Sequence, residues 1–403
     1  MRVSTVTTFF PHAADRHRGV FVENLVRAMR RRCEVDVIAP VPFAPPLRAK
    51  PEWYRKSQIP RRENIDGIDV EHPRFVVFPK AEVLSGMMYA AGVLPALRRA
   101  RDASPDLIVH AHCAYPDGVG VALAARRLGI PYVVTAHGSD VNVYAERRTL
   151  RGQIRWALRG AAATIAVSRD LLAKVTRLLA SSASSAPLVH IPCAGFDPAV
   201  FRPRDRAAVR QTLGLAARAR LVVFVGQLVP IKGIDRLVEA WRLLDVAGRL
   251  GPDDRLVIIG AGRCGPALAR QVGAAGIEAR VVFAGALAQP IVAEWVGAAD
   301  VLCLPSDNEG TPNVVVEALA SGVPVVASHV GGVPELVTHE RNGLLVPPRD
   351  PAALMTALAA ALERRWDPEQ IRATVAHATW EAIADRTIEC LRGVRGGSVA
   401  AVA

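Results

Sequence analysis

Two glutamates eight residues apart raise the first chemical question of this sequence. The stretch DNEGTPNVVVEALASG, residues 307–322, puts Glu309 in polar, turn-rich chain and Glu317 inside VVVEALA, where nearly every neighbour favours burial. A buried carboxylate without a partner is costly, so Glu317 calls for either an arginine of the protein or the hydroxyls of a ligand. Lys232, in VGQLVPIKGID, is the only lysine in residues 201–403. A compact ammonium beside a glycine suits a phosphate; a solvated loop lysine is the alternative. In the first half, TAHGSD ends a β-branched run with His137, Gly138 and Asp140. A histidine at a strand's carboxyl end is placed for function, or else is satisfied by a backbone partner. His110, His112 and Cys113 are metal-ligand types, but alternation puts both histidines on one face with no clear third ligand, so no metal is expected there.

These residues must be positioned by alternating strands and helices. VSTVTTFF, VDVIAP, DLIVHAH, PYVVTAHG and ATIAVS read as strands in the first half, followed by LVHIP. RLVVFVG, RLVIIGAG, RVVFAG, VLCLPS, PVVASHVGG and GLLVPP do so in the second. Amphipathic segments such as GVALAARRLG and GIDRLVEAWRLL separate them. Continuously apolar strands alternating with helices predict parallel sheets covered on both faces, and there are enough strands for two. In such sheets ligands bind beyond the carboxyl ends of the strands, and helix N-termini favour anions. Thr311 is the expected N-cap and Pro312 the first helical residue of the segment carrying Glu317, with Gly322 and Pro324 stopping it. Gly19, between the first strand and first helix, lies at another carboxyl end. The Pro/Asp-rich connector 192–205 marks the domain boundary, giving domains 1–195 and 196–380. A last helical segment, 381–403, is expected to return to the first domain. SSASSAP, 181–187, reads as a helix-to-strand loop, and the tail GGSVAAVA as frayed.

Gly260-x-Gly262-x-x-Gly265 imitates a dinucleotide fingerprint. The acid that should end the next strand is replaced by Ala284-Gly285, and the motif is not on the first strand of its domain, so nicotinamide binding is not expected. No Asp-x-Asp, Gly-x-Ser-x-Gly, Ser-x-x-Lys or His-Glu-x-x-His occurs.

Composition narrows the classes. At 403 residues, 51 % hydrophobic and 22 % charged, the chain fits a globular protein of two domains. The six cysteines form no CxxC pair and read as reduced thiols. The start lacks an apolar segment of signal-peptide type, and no run has the length to span a bilayer, so a cytoplasmic protein is expected. Residues 1–200 carry 28 Lys and Arg against 17 Asp and Glu, whereas the remainder carries 22 against 21. The basic half reads either as an arginine-rich solvated surface or as a face toward something anionic. Nucleic acid is the weaker choice, since no nucleic-acid-binding motif is present and aromatic residues are sparse.

Together these residues resemble the family 4 glycosyltransferases, the retaining group with the GT-B fold, in which two Rossmann-like domains face a central cleft. EGTPNVVVEALASGVPVV resembles the family's Glu-x7-Glu signature, GQLVPIKG its phosphate loop and TAHGSD its histidine motif. FPH…RGVFVENL, HAHCAYPDG and AHGSDVN resemble the branch that builds bacterial surface polysaccharides. The resemblance implies a hexosyltransferase that uses a UDP- or GDP-sugar and needs no metal or other cofactor. Glu317 would hold the ribose, and Glu309 with Gly310, Thr311, Pro312 and Asn313 the sugar and phosphate. Lys232 would neutralise the leaving phosphate. Gly19, Gly226, Gln227, Gly260 and Leu287 would line the sugar donor, Gln227 standing where the family commonly has arginine. His137 would act at the reacting centre, with His112 and Asp140 on the acceptor side. Attack on the front face, with the departing phosphate taking the acceptor's proton, is the implied route; Glu309 as covalent nucleophile is the alternative.

The basic first half suggests a lipid-linked saccharide acceptor at the inner face of a membrane. The apolar-then-basic stretch 81–101 is either an interfacial segment or a buried helix. The rival readings are a sugar-nucleotide epimerase of the same fold, which would consume the sugar donor without an acceptor, and a non-catalytic nucleotide-sugar-binding protein.

Overall fold

The computed structural model describes residues 1–78, 81–180 and 186–396. Residues 181–185 of the SSASSAP segment, and the tail beyond 396, lie outside the described residues. The chain forms two compact units, Met1–Cys193 together with the residues from Trp380 onward, and Ala194–Thr379.

The first unit contains strands β1 (Arg2–Val6), β2 (Glu34–Ile38), β3 (Val41–Pro42), β4 (Arg62–Ile65), β5 (Ile68–Glu71), β6 (Arg74–Phe75), β7 (Leu107–His112), β8 (Tyr132–Ala136), β9 (Ala163–Ala166) and β10 (Leu188–His190). Its main sheet runs β10-β9-β8-β7-β1-β2-β5-β4, parallel except for the antiparallel β4–β5 edge pair. β7 and β8 are buried along their whole length, as strands covered on both faces must be. The β4–β5 pair is absent from the strands expected above. Its signal is the Asp66-Gly67 turn, where both residues have positive φ, 47° and 84°, as a tight hairpin requires.

The 81–101 stretch forms most of the helix Ser85–Ala103, which buries Tyr89, Val93 and Leu97. It packs on the helix Val119–Leu128 where Gly120 lies under the Tyr89 ring; a Cβ there would sit 2.4 Å from a ring carbon. One face of this stretch is thus a packed helix, while Val83 and Met87 stay exposed on the other. The final helix, Trp380–Gly396, packs on Val20–Met29 of the first unit, with Arg31 and Arg32 paired to Glu381 and Asp385.

The second unit contains β11 (Leu221–Val225), β12 (Arg255–Ile259), β13 (Val281–Gly285), β14 (Val301–Leu304), β15 (Val325–Ser328) and β16 (Gly343–Val346), all parallel in the order β13-β12-β11-β14-β15-β16. This is the doubly wound order, in which the chain starts at the centre, runs to one edge and then returns to build the other side. The connections therefore diverge between β11 and β14, and between β1 and β7 in the first unit. The loops at those two points are the expected ligand positions.

Candidate functional site

In the second unit two loops flank the divergence point. The first follows β11, continues through a short turn at Pro230–Lys232 and enters the helix Ile234–Val246. The second follows β14 and enters the helix Asn313–Ala320. The N-cap is Pro312 rather than the expected Thr311, one residue later than local preference indicates, and it carries no side-chain cap bond. Pro312 has no polar side chain to serve as a cap acceptor, and among the described residues no intramolecular partner serves the amides of Asn313 and Val314. The helix stops as expected: Gly322 has φ 74° and the Val323 amide reaches back to the Ala318 carbonyl.

The two loops are fastened together. Lys232 Nζ donates to Glu309 Oε1 at 2.6 Å, and Ser306 Oγ donates to the same oxygen at 2.6 Å. Lys232 is therefore not a solvated loop lysine. Asp307 receives Arg236 at 2.5 Å and Arg349 at 3.2 Å, and its amide donates to the Ile231 carbonyl. Gly233 permits this closeness: a Cβ there would lie 2.2 Å from the Pro305 carbonyl oxygen. Gly331, in the loop after β15, packs as tightly on the second loop, where a Cβ would lie 1.8 Å from the Glu309 carbonyl oxygen.

Glu317 sits one turn into its helix, partly exposed yet crowded enough that burial pushes its carboxyl up to about 7. No arginine bridges it among the described residues. Gln289 Nε2 donates to it at 3.2 Å and opposes the shift. A neutral amide leaves most of the carboxylate's accepting capacity open. Gln289 begins the helix Gln289–Ala298 after β13, just beyond the half-buried Leu287. It, Ser306, Asp307 and Arg236 were not among the expected site residues; nothing in their local sequence distinguishes them.

Gly260 and Gly262 are explained by the protein's own backbone. Their Cβ positions would fall 1.8 Å from the Gly226 carbonyl oxygen and 2.4 Å from that of Leu228. The Gln227 side chain is exposed beside them.

At the corresponding point of the first unit the groups are of another kind. His112 Nδ1 and His137 Nε2 are 2.9 Å apart, with the rings stacked at 18°. His110 Nε2 meets Thr135 Oγ1 at 2.7 Å. Burial holds His110 down to about 3, His137 to about 4 and His112 well below its usual range, so all three are neutral near pH 7. His112 is buried, whereas His137 keeps some exposure and packs against Phe21. Asp140, assigned above to the acceptor side, is buried with its oxygens accepting from the amides of Ala114, His137, Gly138 and Val141. It builds the loop that carries His137 and has no exposed face for a ligand. Asp117, also unexpected, is buried, accepts from the amide and hydroxyl of Thr8 and is pushed by burial up to about 7. Gly19, with φ 63°, starts its helix with its Cα against the Phe9 carbonyl.

A cavity of about 660 Å³ in the first unit is lined by Thr8, Phe10, Arg18, Phe75, Tyr115 and Tyr144 among others. Aromatic faces with scattered polar groups suit saccharide rings. Among the described residues no three His, Cys, Asp or Glu side chains are grouped as a metal would need.

Comparison with known proteins converges on one group. Residues 19–194 match the model described as Glycosyltransferase Family 4, and residues 219–364 that described as Glycosyl transferases group 1. The chain is 32 % identical over 378 residues to the putative teichuronic acid biosynthesis glycosyltransferase TuaC of Bacillus subtilis, covering 92 % of this chain and 91 % of that one. Among solved structures it is similar to sucrose-phosphate synthase of Thermosynechococcus elongatus, with TM-score 0.78, 22 % identity and coverage of 99 % and 100 %. HepE of Anabaena in complex with UDP and glucose gives TM-score 0.71 at 21 % identity, covering 98 % and 100 %.

Proposed function

Because the chain belongs to the family 4 glycosyltransferases and has their GT-B fold, we propose that it transfers a hexose from a UDP- or GDP-sugar, with retention and without a metal ion, to a lipid-linked saccharide. The observation that carries the reading is the second unit's pair of carboxylates at the divergence of its sheet. One is fastened to the chain half's single lysine, the other crowded yet bridged only by an amide. The TuaC and HepE likenesses support a surface-polysaccharide setting and a uridine nucleotide as the first candidate.

In this reading Glu317 accepts the two ribose hydroxyls, which a carboxylate does better than an amide. The amides of Asn313 and Val314 and the Lys232 ammonium receive the diphosphate. Arrival of that anion draws Lys232 from Glu309, and the freed carboxylate accepts from hydroxyls of the bound sugar. With Gln227 in the phosphate loop, neutralisation rests on Lys232 and the helix terminus. The acceptor oxygen attacks the anomeric carbon on the face the phosphate leaves, the C–O bond to phosphate breaks, and the acceptor's proton passes to the departing oxygen. The protein's part is positioning and preorganised charge.

The test is a panel of UDP- and GDP-sugars against purified protein, read by thermal shift and nucleoside diphosphate release, with and without a chelator. One nucleotide should stabilise the wild type and neither Glu317→Ala nor Lys232→Ala. Release of sugar-free nucleotide at an unchanged rate in both variants would sink the reading. An epimerised sugar in the absence of acceptor would replace it with the epimerase.

A further inference from the structure

The first unit exposes an unusual share of its large apolar side chains in one place. Phe43 is 57 % exposed, Leu47 47 %, Trp53 39 %, Phe78 46 % and Met87 50 %, and Val76, Val77 and Val83 are exposed as well. The structure gathers these segments. β3 pairs with β6 and the Phe43 amide donates to the Phe75 carbonyl, so residues 43 and 76–78 leave the same short ribbon side by side. Pro42, Arg55, Lys56, Val77 and Glu82 all line the cavity that also holds Tyr115 and Tyr144. Val77 and the chain neighbours of Phe43, Trp53, Phe78 and Val83 therefore line one cavity.

Within this rim the helix Pro51–Ser57, PEWYRKS, buries no residue. A helix so short is not stable by itself and normally owes its formation to a buried face. Its surroundings are also strongly basic. Residues 43–62 hold Arg48, Lys50, Arg55, Lys56, Arg61 and Arg62 against a single acid, Glu52. Two of the chain's five lysines lie here, in a protein that otherwise uses arginine. Lys50 lies over the Trp53 ring at 4.4 Å, so cation and aromatic occupy the same exposed surface.

We propose that this rim docks on an anionic lipid bilayer, with Phe43, Leu47, Trp53 and Phe78 entering the headgroup–acyl boundary and Arg48 and Lys50 meeting lipid phosphates. Exposed aromatic and aliphatic side chains interleaved with basic ones fit an interface that is apolar below and anionic above. A folded protein partner would be met better by a shaped apolar face than by an interleaved one. The inference rests on the lipid-linked acceptor: docking here would leave the acceptor's lipid in the bilayer and present its saccharide to the aromatic cavity. Within the 81–101 stretch it keeps only the exposed Val83 and Met87, and it centres the contact on the ribbon and short helix before them.

Flotation of the full chain with phosphatidylcholine vesicles, with and without about one-third phosphatidylglycerol, tests it. Partitioning should be at least ~10-fold stronger on the anionic vesicles. The variant pairs Phe43→Ser with Trp53→Ser, and Arg48→Gln with Lys50→Gln, should each lose most of it. Acyl-brominated lipid should quench emission in the wild type and markedly less in Trp53→Phe. Undiminished flotation of both pairs, equal recovery on neutral vesicles, or no quenching assignable to Trp53 would overturn the proposal. So would sedimentation showing a dimer that the apolar pair dissociates, since the patch would then be a contact between copies. Thermal shift by the nucleotide is measured on the same samples. Its persistence without flotation removes the docking surface alone, and its absence with flotation intact removes the nucleotide-sugar reading alone.

Discussion

The carboxyl-end loops of the two sheets occupy equivalent places and are built from opposite electrostatics. In the second unit charges are kept and paired in partly buried contacts: Lys232 with Glu309, and Arg236 and Arg349 with Asp307. In the first unit the corresponding groups are neutral or enclosed. Three histidines are held unprotonated by burial, and Asp140 is wrapped in amides. The sheets themselves do not impose this difference, since both are doubly wound. It comes from what each loop buries. A cation that is already charged and part-exposed can be turned from its carboxylate toward an incoming anion, whereas a buried neutral imidazole pair presents hydrogen bonds without attracting charge. The first arrangement suits a diphosphate and the second a sugar.

Removing charge from the second unit should break the comparison most severely. Lys232→Ala should lower kcat for nucleoside diphosphate release by roughly 100- to 1,000-fold, the usual cost of one preorganised electrostatic group at a developing charge. The fold should be retained, because Ser306 still holds Glu309. A loss below tenfold would assign leaving-group stabilisation to the helix terminus.

The counterpart in the first unit should act on stability instead. Asp140→Ala leaves the Ala114, His137 and Gly138 amides without their acceptor in a buried loop. Chemical denaturation of the first unit should show a loss of about 2–4 kcal/mol. Nucleotide affinity, carried by the other unit, should hold within about twofold. Loss of nucleotide binding without loss of stability would make Asp140 a ligand residue after all.

Glu317 shares one property with Asp117 of the first unit: it too is pushed up by burial. Its folded carboxyl, near 7, holds a proton that the unfolded chain releases near 4.5. This group's contribution to stability is therefore full below about 4.5 and lost as pH rises to about 7. The fall should amount to about 1–3 kcal/mol and vanish in Glu317→Gln, as thermal melts across pH would show. Nucleotide affinity should move the other way, rising through pH 7 as the accepting carboxylate ionises.

How far these features could be read from sequence depends on how local their causes are. The helix carrying Glu317 and its glycine stop, and the twelve principal strands, follow from patterns of a few residues. The Glu309–Glu317 spacing lies within one loop and one turn of helix, so both carboxylates were legible as a unit. The Asp66-Gly67 hairpin has an equally local cause. The roles of Asp140 and Gln289 were not legible, because their partners are set by loop folding and strand order. Gln289 lies 28 residues before Glu317, on the helix that carries the chain from the edge strand β13 back to β14. The exposure of PEWYRKS is also a tertiary fact, since its sequence would equally suit a helix packed on a core.

Gln289 offers the finest adjustment of the comparison. Its amide donates to Glu317 and so favours the charged carboxylate, against the burial that favours the neutral one. Gln289→Leu removes the donor while keeping comparable bulk, and leaves burial unopposed. The pH at which nucleotide affinity rises should climb by about half a unit to one unit, equivalent to about 1 kcal/mol, with affinity at pH 9 nearly unchanged. Calorimetric titration of the nucleotide at several pH values reads this directly. In the Glu317→Gln background the Gln289→Leu change should leave the pH profile flat, because no ionising group remains for the amide to tune. A profile that still moved would place the titrating group elsewhere.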